Sequence, residues 1–236
     1  MEVANRIVAE ILEGIKDQVK PGIETRELDE LAEEMCRGRE VEPAFKGYRG
    51  YPRSVCISVN DEIVHGIPGP RRLKAGDLVS LDFGVKYQGY YGDAAITVAV
   101  GELSPKARTL MEVTEKSLYA GIDQAKVGKR LTDISHAVQT VVEGAGFGVI
   151  REFVGHGIGR SLHEDPQIPN FGPPGRGPVL QAGMTLAIEP MTSMGAWQVK
   201  ILKDGWTAVT QDGSLAAHFE HTVAVTENGP LILSRL

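Results

Sequence analysis

Four carboxylates and one histidine carry the chemistry legible in this chain: Asp82, Asp93, Glu189, Glu220 and His156. Each carboxylate lies in the middle of a run that otherwise alternates apolar and small polar residues, although aspartate is a poor strand former. Val79, Leu81, Phe83 and Val85 alternate with Ser80, Asp82 and Gly84, and Ile96, Val98 and Val100 with Asp93, Ala95 and Thr97. Met184, Leu186 and Ile188 alternate with Thr185, Ala187 and Glu189, and Leu215, Phe219, Val223 and Val225 with His218, Glu220 and Thr222. A single strand carboxylate is most simply a solvated side chain or half of a salt bridge, and a histidine in a Gly-His-Gly turn is most simply packed. Four carboxylates at matching positions are not so easily dismissed. Two Asp, two Glu and one His make a hard, oxygen-rich set suited to Mn, Fe, Co or Zn rather than a thiolate site. Their four negative charges are balanced by two divalent ions, an arrangement that hydrolyses acyl bonds.

The elements that must position these groups start with a hairpin, Leu78 to Val100. A turn centred on Tyr87-Gln88 would set Asp82 directly opposite Asp93, with Cβ atoms roughly 5 Å apart. Ionised carboxylates that close disfavour folding unless one is protonated or a cation lies between them. The pattern returns downstream. LKAGDLVSLD, ending at Asp82, aligns without a gap on LQAGMTLAIE, ending at Glu189, while Asp93-AAITV matches Glu220-HTVAV and His65-Gly-Ile-Pro echoes His156-Gly-Ile-Gly. The echo predicts one domain spanning 1–236, made of related halves of about 1–103 and 104–236.

Around these strands the spacing predicts helices. Val3, Ile7, Val8, Ile11, Leu12, Ile15 and Val19 form one stripe, closed by Pro21-Gly22, and Thr25 offers an N-cap for the next, with Glu27 and Asp29 in its first turn. Ser104-Pro105 opens a second helical pair that ends at Gly144 and Gly146. Ser54–Val59, Gly148–His156, Met184–Pro190, Val199–Leu202 and Ala216–Thr226 read as further strands. Helices gathered between runs of antiparallel strands indicate an α+β fold.

Composition narrows the function classes. A net charge of -6 gives no global footprint for nucleic acid, and the local cluster Lys46, Arg49, Arg53, Arg71, Arg72 and Lys74 reads first as ordinary surface. The two cysteines, Cys36 and Cys56, are no disulfide framework, and the acidic N-terminus is unlike a secretion signal, so a cytoplasmic location is expected. No apolar run has the length of a membrane span. His163-Glu-Asp-Pro begins like a zincin helix but lacks the second histidine, and Gly155-His-Gly-Ile-Gly lacks the lysine of a phosphate loop.

Taken together, Gly47-Tyr-Arg-Gly-Tyr-Pro-Arg-Ser-Val-Cys56, His65-Gly-Ile-Pro68, Asp82 with Asp93, Gly155-His-Gly-Ile-Gly-Arg160 with His163, Ile188-Glu-Pro190 and Glu220-His-Thr222 closely resemble the type I methionine aminopeptidases. The resemblance covers nearly the whole chain. It implies the pita-bread fold, two pseudo-symmetric halves around an antiparallel sheet flanked by helices, and two divalent metals held by Asp82, Asp93, His156, Glu189 and Glu220. It implies removal of N-terminal methionine from peptides and nascent proteins when the next residue is small, by a hydroxide held between the metals. Glu189 would help move the proton, His163 would stabilise the oxyanion, and His65 would lie near the scissile nitrogen. Tyr48, Tyr51, Cys56 and Trp206, with His65 and His163, would contact substrate. Phe45 and Leu162 depart from the family pattern, which puts the shape of one pocket wall in question. Contact with the ribosome and a monomeric state are further expectations; DNA and membrane partners are not expected. Proline-specific peptidases of the same fold are the nearest rival, though they carry a large N-terminal domain. A metal-free peptide-binding module is the other, though such proteins lose ligands that this chain retains.

Overall fold

The computed structural model covers Met1–Leu236. In chain order the helices are α1 (Glu2–Lys16), α2 (Thr25–Gly38), α3 (Pro105–Ile122) and α4 (Leu131–Gly144). The strands are β1 (Glu42–Pro43), β2 (Val55–Val59), β3 (Glu62–Val64), β4 (Leu78–Tyr87), β5 (Tyr90–Ala99), β6 (Gly148–Val149), β7 (Gly155–Gly157) and β8 (Glu164–Ile168). They continue as β9 (Thr185–Ile188), β10 (Met191–Ser193), β11 (Val199–Ile201), β12 (Ala208–Thr210), β13 (Ala216–His218), β14 (Glu220–Thr226) and β15 (Gly229–Ile232). No helix is long and apolar enough to cross a membrane.

The main sheet runs β1-β4-β5-β14-β9-β7-β8, with β2 also on β4 and β15 also on β14. Its inner pairs are antiparallel, and β5 meets β14 at its centre. The two carboxylate-bearing pairs, β4-β5 and β14-β9, therefore lie side by side. One face of this sheet is covered by helices. Val8, Ile11, Leu12 and Ile15 of α1 share a cluster with Val79, Leu81, Phe83 and Val85 of β4, and Leu118, Ile122 and Ile134 of α3 and α4 share another with Leu186, Ile188 and Val223. Gly92 allows α1 to close on β5, since a Cβ there would fall 2.8 Å from the Ala4 carbonyl carbon.

The hairpin turn lies one residue later than expected. Tyr87 pairs with Tyr90, so the loop is Gln88-Gly89, and Asp82 faces Ala95 while Asp93 faces Gly84. Both loop residues have positive φ, 48° and 78°, the conformation of the tight turn whose twist matches a hairpin. Only glycine enters it freely, so Gly89 fixes the register. Because the shift is even across the ladder, both aspartates keep the same face but sit diagonally.

Other expectations need adjustment. Glu24, not Thr25, precedes α2 as its cap, and its N–H donates to Glu27 Oε1 at 2.7 Å. Thr25 instead ties α2 to the loop before β4, its hydroxyl meeting the Gly69 N–H at 2.9 Å. Ser104 caps α3 as expected. Gly148–His156 is broken into β6 and β7, and Ala216–Thr226 into β13 and β14, because the chain leaves one sheet for another at these points. Glu164–Ile168, not among the strands read from the sequence, forms the edge strand β8, where the missing N–H of Pro166 is tolerated. Much of the basic cluster is neutralised locally, with Lys46 on Glu33, Arg53 on Asp29, Arg71 on Glu62 and Arg72 on Glu24.

Asp29 is buried rather than displayed on the first turn of α2. Its Oδ1 accepts the N–H groups of Ser54 and Val55 at 2.8 and 3.0 Å and so anchors the start of β2. Asp29→Ala should orphan both donors and cost about 1–3 kcal/mol. A chemical denaturation midpoint equal to that of the parent would contradict this anchoring role.

Candidate metal centre

The order of the strands sets the order of the ligands. Asp82 comes from β4, Asp93 from β5, Glu220 from β14, Glu189 from the end of β9 and His156 from β7, in sequence across neighbouring strands. Asp93 and Glu220 are thus central, with Asp82 on one flank and Glu189 and His156 on the other. Asp93, His156 and Glu220 each offer a ligand atom within 4.8 Å of the others. His156 Nδ1 is 2.8 Å from the Gly157 carbonyl, which can only accept, so the proton is on Nδ1 and Nε2 keeps a free lone pair. That Nε2 lies 3.5 Å from Glu189 Oε1.

Nothing in the protein balances this charge. Asp82 Oδ1, Asp93 Oδ1 and Glu220 Oε1 are buried without a hydrogen-bond partner. Burial drives up the pKa of Asp82, Glu189 and Glu220, with crowding among the carboxylates adding to it. Asp93 is raised by burial to about 7, against an opposing hydrogen bond from the Ala94 N–H. The histidines nearby are pushed the other way. Burial lowers His156, and takes His65 to about 4. His163 is lowered by burial and then by His156, Arg49 and His65. These rings are neutral at physiological pH and cannot serve as counter-cations. Orphaned carboxylate oxygens and a neutral imidazole with a free Nε2 fit a divalent cation.

The ligands form the floor of one cavity of about 130 Å³. Tyr48, Tyr51, Cys56, His65, His163 and Trp206 line it as well, so every residue singled out from the sequence reaches the same site. Tyr51 is fixed there by its hydroxyl, 2.8 Å from the Gly66 carbonyl, and it meets Trp206 edge to face at 5.2 Å. Asp204 holds the Trp206 loop by accepting the Trp206 and Thr207 N–H groups, both at 2.9 Å. His65 takes a left-handed φ of 62°, packed edge to face on Phe153. Gly66 beside it must lack a side chain, because a Cβ would strike the Ile57 carbonyl at 2.2 Å. His163 Nδ1 lies 2.9 Å from the Tyr48 hydroxyl, and its ring centroid is 4.2 Å from that of His156. The Cys56 thiol, opposite Asp82 in the β2-β4 ladder, is kept protonated by burial and then by the aspartate.

Phe45 and Leu162 both stand on the wall, packed in one cluster with Tyr51 and Cys56. Phe45 fits because Gly84 has no side chain: a Cβ there would be 3.0 Å from Phe45 Cε1. Arg49, read from the sequence as part of a basic surface cluster, stands at the rim with φ of 50° and its guanidinium 5.4 Å from the Tyr48 ring centre, and Val64, which nothing in the sequence pattern singled out, lines the cavity too. His218, also missed, is 1% exposed and has its Nε2 3.6 Å from Glu189 Oε2. Its one signal was its position on the polar face two residues before Glu220.

Comparison with known proteins agrees with this geometry. A family model described as metallopeptidase family M24 matches residues 1–227. Methionine aminopeptidase 1 of Bacillus subtilis (strain 168) is 56% identical over 236 residues, covering 100% of this chain and 95% of the relative. The crystal structure of methionine aminopeptidase from Thermotoga maritima superposes with a TM-score of 0.99 at 51% identity, covering 100% of this chain and 95% of that one. A prolidase from Pyrococcus furiosus matches with a TM-score of 0.81 at 24% identity, across 100% of this chain but 62% of its own, a likeness of fold alone.

Proposed function

Because the chain belongs to metallopeptidase family M24, we propose that it is a methionine aminopeptidase with the pita-bread fold, a hydrolase that removes N-terminal methionine from peptides and nascent proteins. The observation that carries this is the convergence of the five ligand candidates and the six pocket residues on one small cavity. We read the β4-β5-β14-β9 order as supporting two half-units, about 1–103 and 104–236, of a single domain. The cytoplasm, with its nascent chains, is the location that suits this substrate.

Asp82, Asp93, His156, Glu189 and Glu220 would hold a pair of divalent cations, with Asp93 and Glu220, from the two central strands, shared between them. Such a pair, when bound, supplies Lewis-acid polarisation of the scissile carbonyl and an acidified water. The remaining steps belong to side chains. Glu189 takes the water's proton and passes it toward the leaving amine, as its position between two imidazoles and the cavity allows. His163, with Tyr48 O–H donating to Nδ1, keeps its own proton on Nε2 and donates it in a hydrogen bond to the developing oxyanion. His65 lies on the wall beside Trp206, where it can meet the scissile nitrogen.

Specificity follows from the wall. Phe45, Tyr51, Cys56, Leu162 and Trp206 give an apolar, partly aromatic lining suited to a thioether. The cavity, about 130 Å³, is below the usual range for small-molecule sites, which suits entry of a side chain rather than of a whole large ligand. As the resemblance to the methionine aminopeptidases implies, Met-Ala and Met-Gly substrates should be cleaved faster than Met-Lys or Met-Phe, by on the order of a hundredfold in kcat/KM. Equal rates for all four would count against that substrate preference. The function itself is tested by metal content together with hydrolysis of Met-Gly-Met against Gly-Pro. Metal uptake with cleavage of Met-Gly-Met alone is expected, whereas turnover of Gly-Pro would mark a proline-specific peptidase and absence of both a binding module.

A further inference from the structure

His218 is the most deeply buried polar side chain beside the site without a hydrogen bond. Neither ring nitrogen has a partner, although buried polar groups are almost always satisfied. Its main chain is clamped on both sides by Thr97, whose Oγ1 accepts the His218 N–H at 2.9 Å and donates to the His218 carbonyl at 2.6 Å. The hydroxyl's single proton is thereby spent, so the Ser80 hydroxyl, 2.9 Å away, must donate to Thr97. This clamp, together with pairing of His218 to Met191 across β13 and β10, fixes where the ring starts and which way it leaves the strand. The ring ends 3.6 Å from Glu189 Oε2, while the other carboxylate oxygen, Oε1, faces His156.

We propose that His218 is a positioning residue, whose Nε2–H holds Glu189 through Oε2 so that Oε1 is the oxygen presented, beside His156, to the cation. The proposal rests on reading the site as a metal centre. At 3.6 Å the pair is just outside hydrogen-bond range, and the proposed contact requires it to close to about 3.2 Å. With the proton on Nε2, the ring gives the ionised carboxylate a donor, and Nδ1 is left as an acceptor without a partner. A simple packing role would not need a nitrogen at that distance.

Metal-free protein titrated calorimetrically with Mn²⁺ tests this, comparing the parent with His218→Leu and His218→Gln. Leucine fills the space without a donor, and should weaken the tighter site roughly 10- to 100-fold, the usual loss when a group orienting a ligand is removed. Glutamine offers an N–H in the same direction and should restore most of the affinity. Parent-like binding by His218→Leu, or equal weakness in both variants, would overturn the proposal. Melting temperatures of the metal-free proteins separate a packing defect, which lowers both variants alike, from the expected loss confined to metal affinity. Should His218→Leu fail to fold, ring ¹⁵N shifts of the parent decide: an Nε2–H tautomer is expected, and Nδ1–H would rule the role out. A parent that binds no Mn²⁺ would instead overturn the metal-centre reading beneath it, and this role with it.

Discussion

Asp93→Ala and Glu220→Ala are each expected to abolish hydrolysis and to reduce bound metal from two equivalents to one or none. The reason is positional. These residues come from the two central strands of the main sheet, and each offers an oxygen to the same cluster as His156. On the proposed two-metal reading, loss of Asp82 would withdraw a ligand from one flank, whereas loss of Asp93 or Glu220 would withdraw support shared by both metals. Turnover should fall to background, because neither Lewis acidity nor water activation survives without the cations. Elemental analysis alongside turnover checks this, and retention of two metals with parental kcat in either variant would sink the bridging assignment.

The same variants should stabilise the protein once metal is stripped away. Asp93 is held at about 7 rather than 3.8, so the folded chain binds a proton more tightly than the unfolded chain does. Where the folded state holds more protons, stability falls as pH rises. The metal-free parent should accordingly lose stability as pH rises above about 4, Asp93 contributing up to about pH 7 alongside the other raised carboxylates, and Asp93→Ala should lessen that slope. Added divalent cation should reverse the slope in the parent alone. An equal slope in both proteins would mean that Asp93 carries its charge in the folded state without strain.

What was legible in the sequence was periodicity. Alternation placed Asp82, Asp93, Glu189 and Glu220 on polar strand faces, and the gapless match of Leu73–Asp82 to Leu180–Glu189 tied distant segments together before any contact was visible. The strand register was harder, because it depends on which residues accept positive φ, and Gln88, a poor candidate, shares the turn with Gly89. Strands of two or three residues, such as β10 and β13, carry no period at all and were invisible or merged with their neighbours. The roles of Asp29 and His218 were hidden for another reason. Asp29 looked like a helix-start acid and is a buried anchor for β2, since what a side chain meets across the fold leaves no mark on its own segment. Val64 on the cavity wall is in the same position.

His163→Ala separates chemistry from metal binding. Its Nδ1 is engaged by the Tyr48 hydroxyl at 2.9 Å, and its ring lies over the rings of Tyr48 and His156, at centroid distances of 5.2 and 4.2 Å. It is not one of the five residues proposed to hold metal. Metal content should therefore stay near that of the parent. The lost donor acts on charge that develops only in the transition state, so kcat should fall roughly a hundred- to a thousandfold while KM changes little. Tyr48→Phe provides an internal control, because it removes the hydroxyl that fixes the ring's tautomer and leaves the ring itself in place. A smaller loss of kcat than in His163→Ala is expected from it, again without loss of metal. If His163 served only to pack against its neighbours at the rim, His163→Ala would lower the melting temperature and keep its turnover. Metal content, melting temperature and kcat measured on one preparation decide between these outcomes, and a near-parental kcat, or a loss fully matched by missing metal, would remove His163 from the reaction.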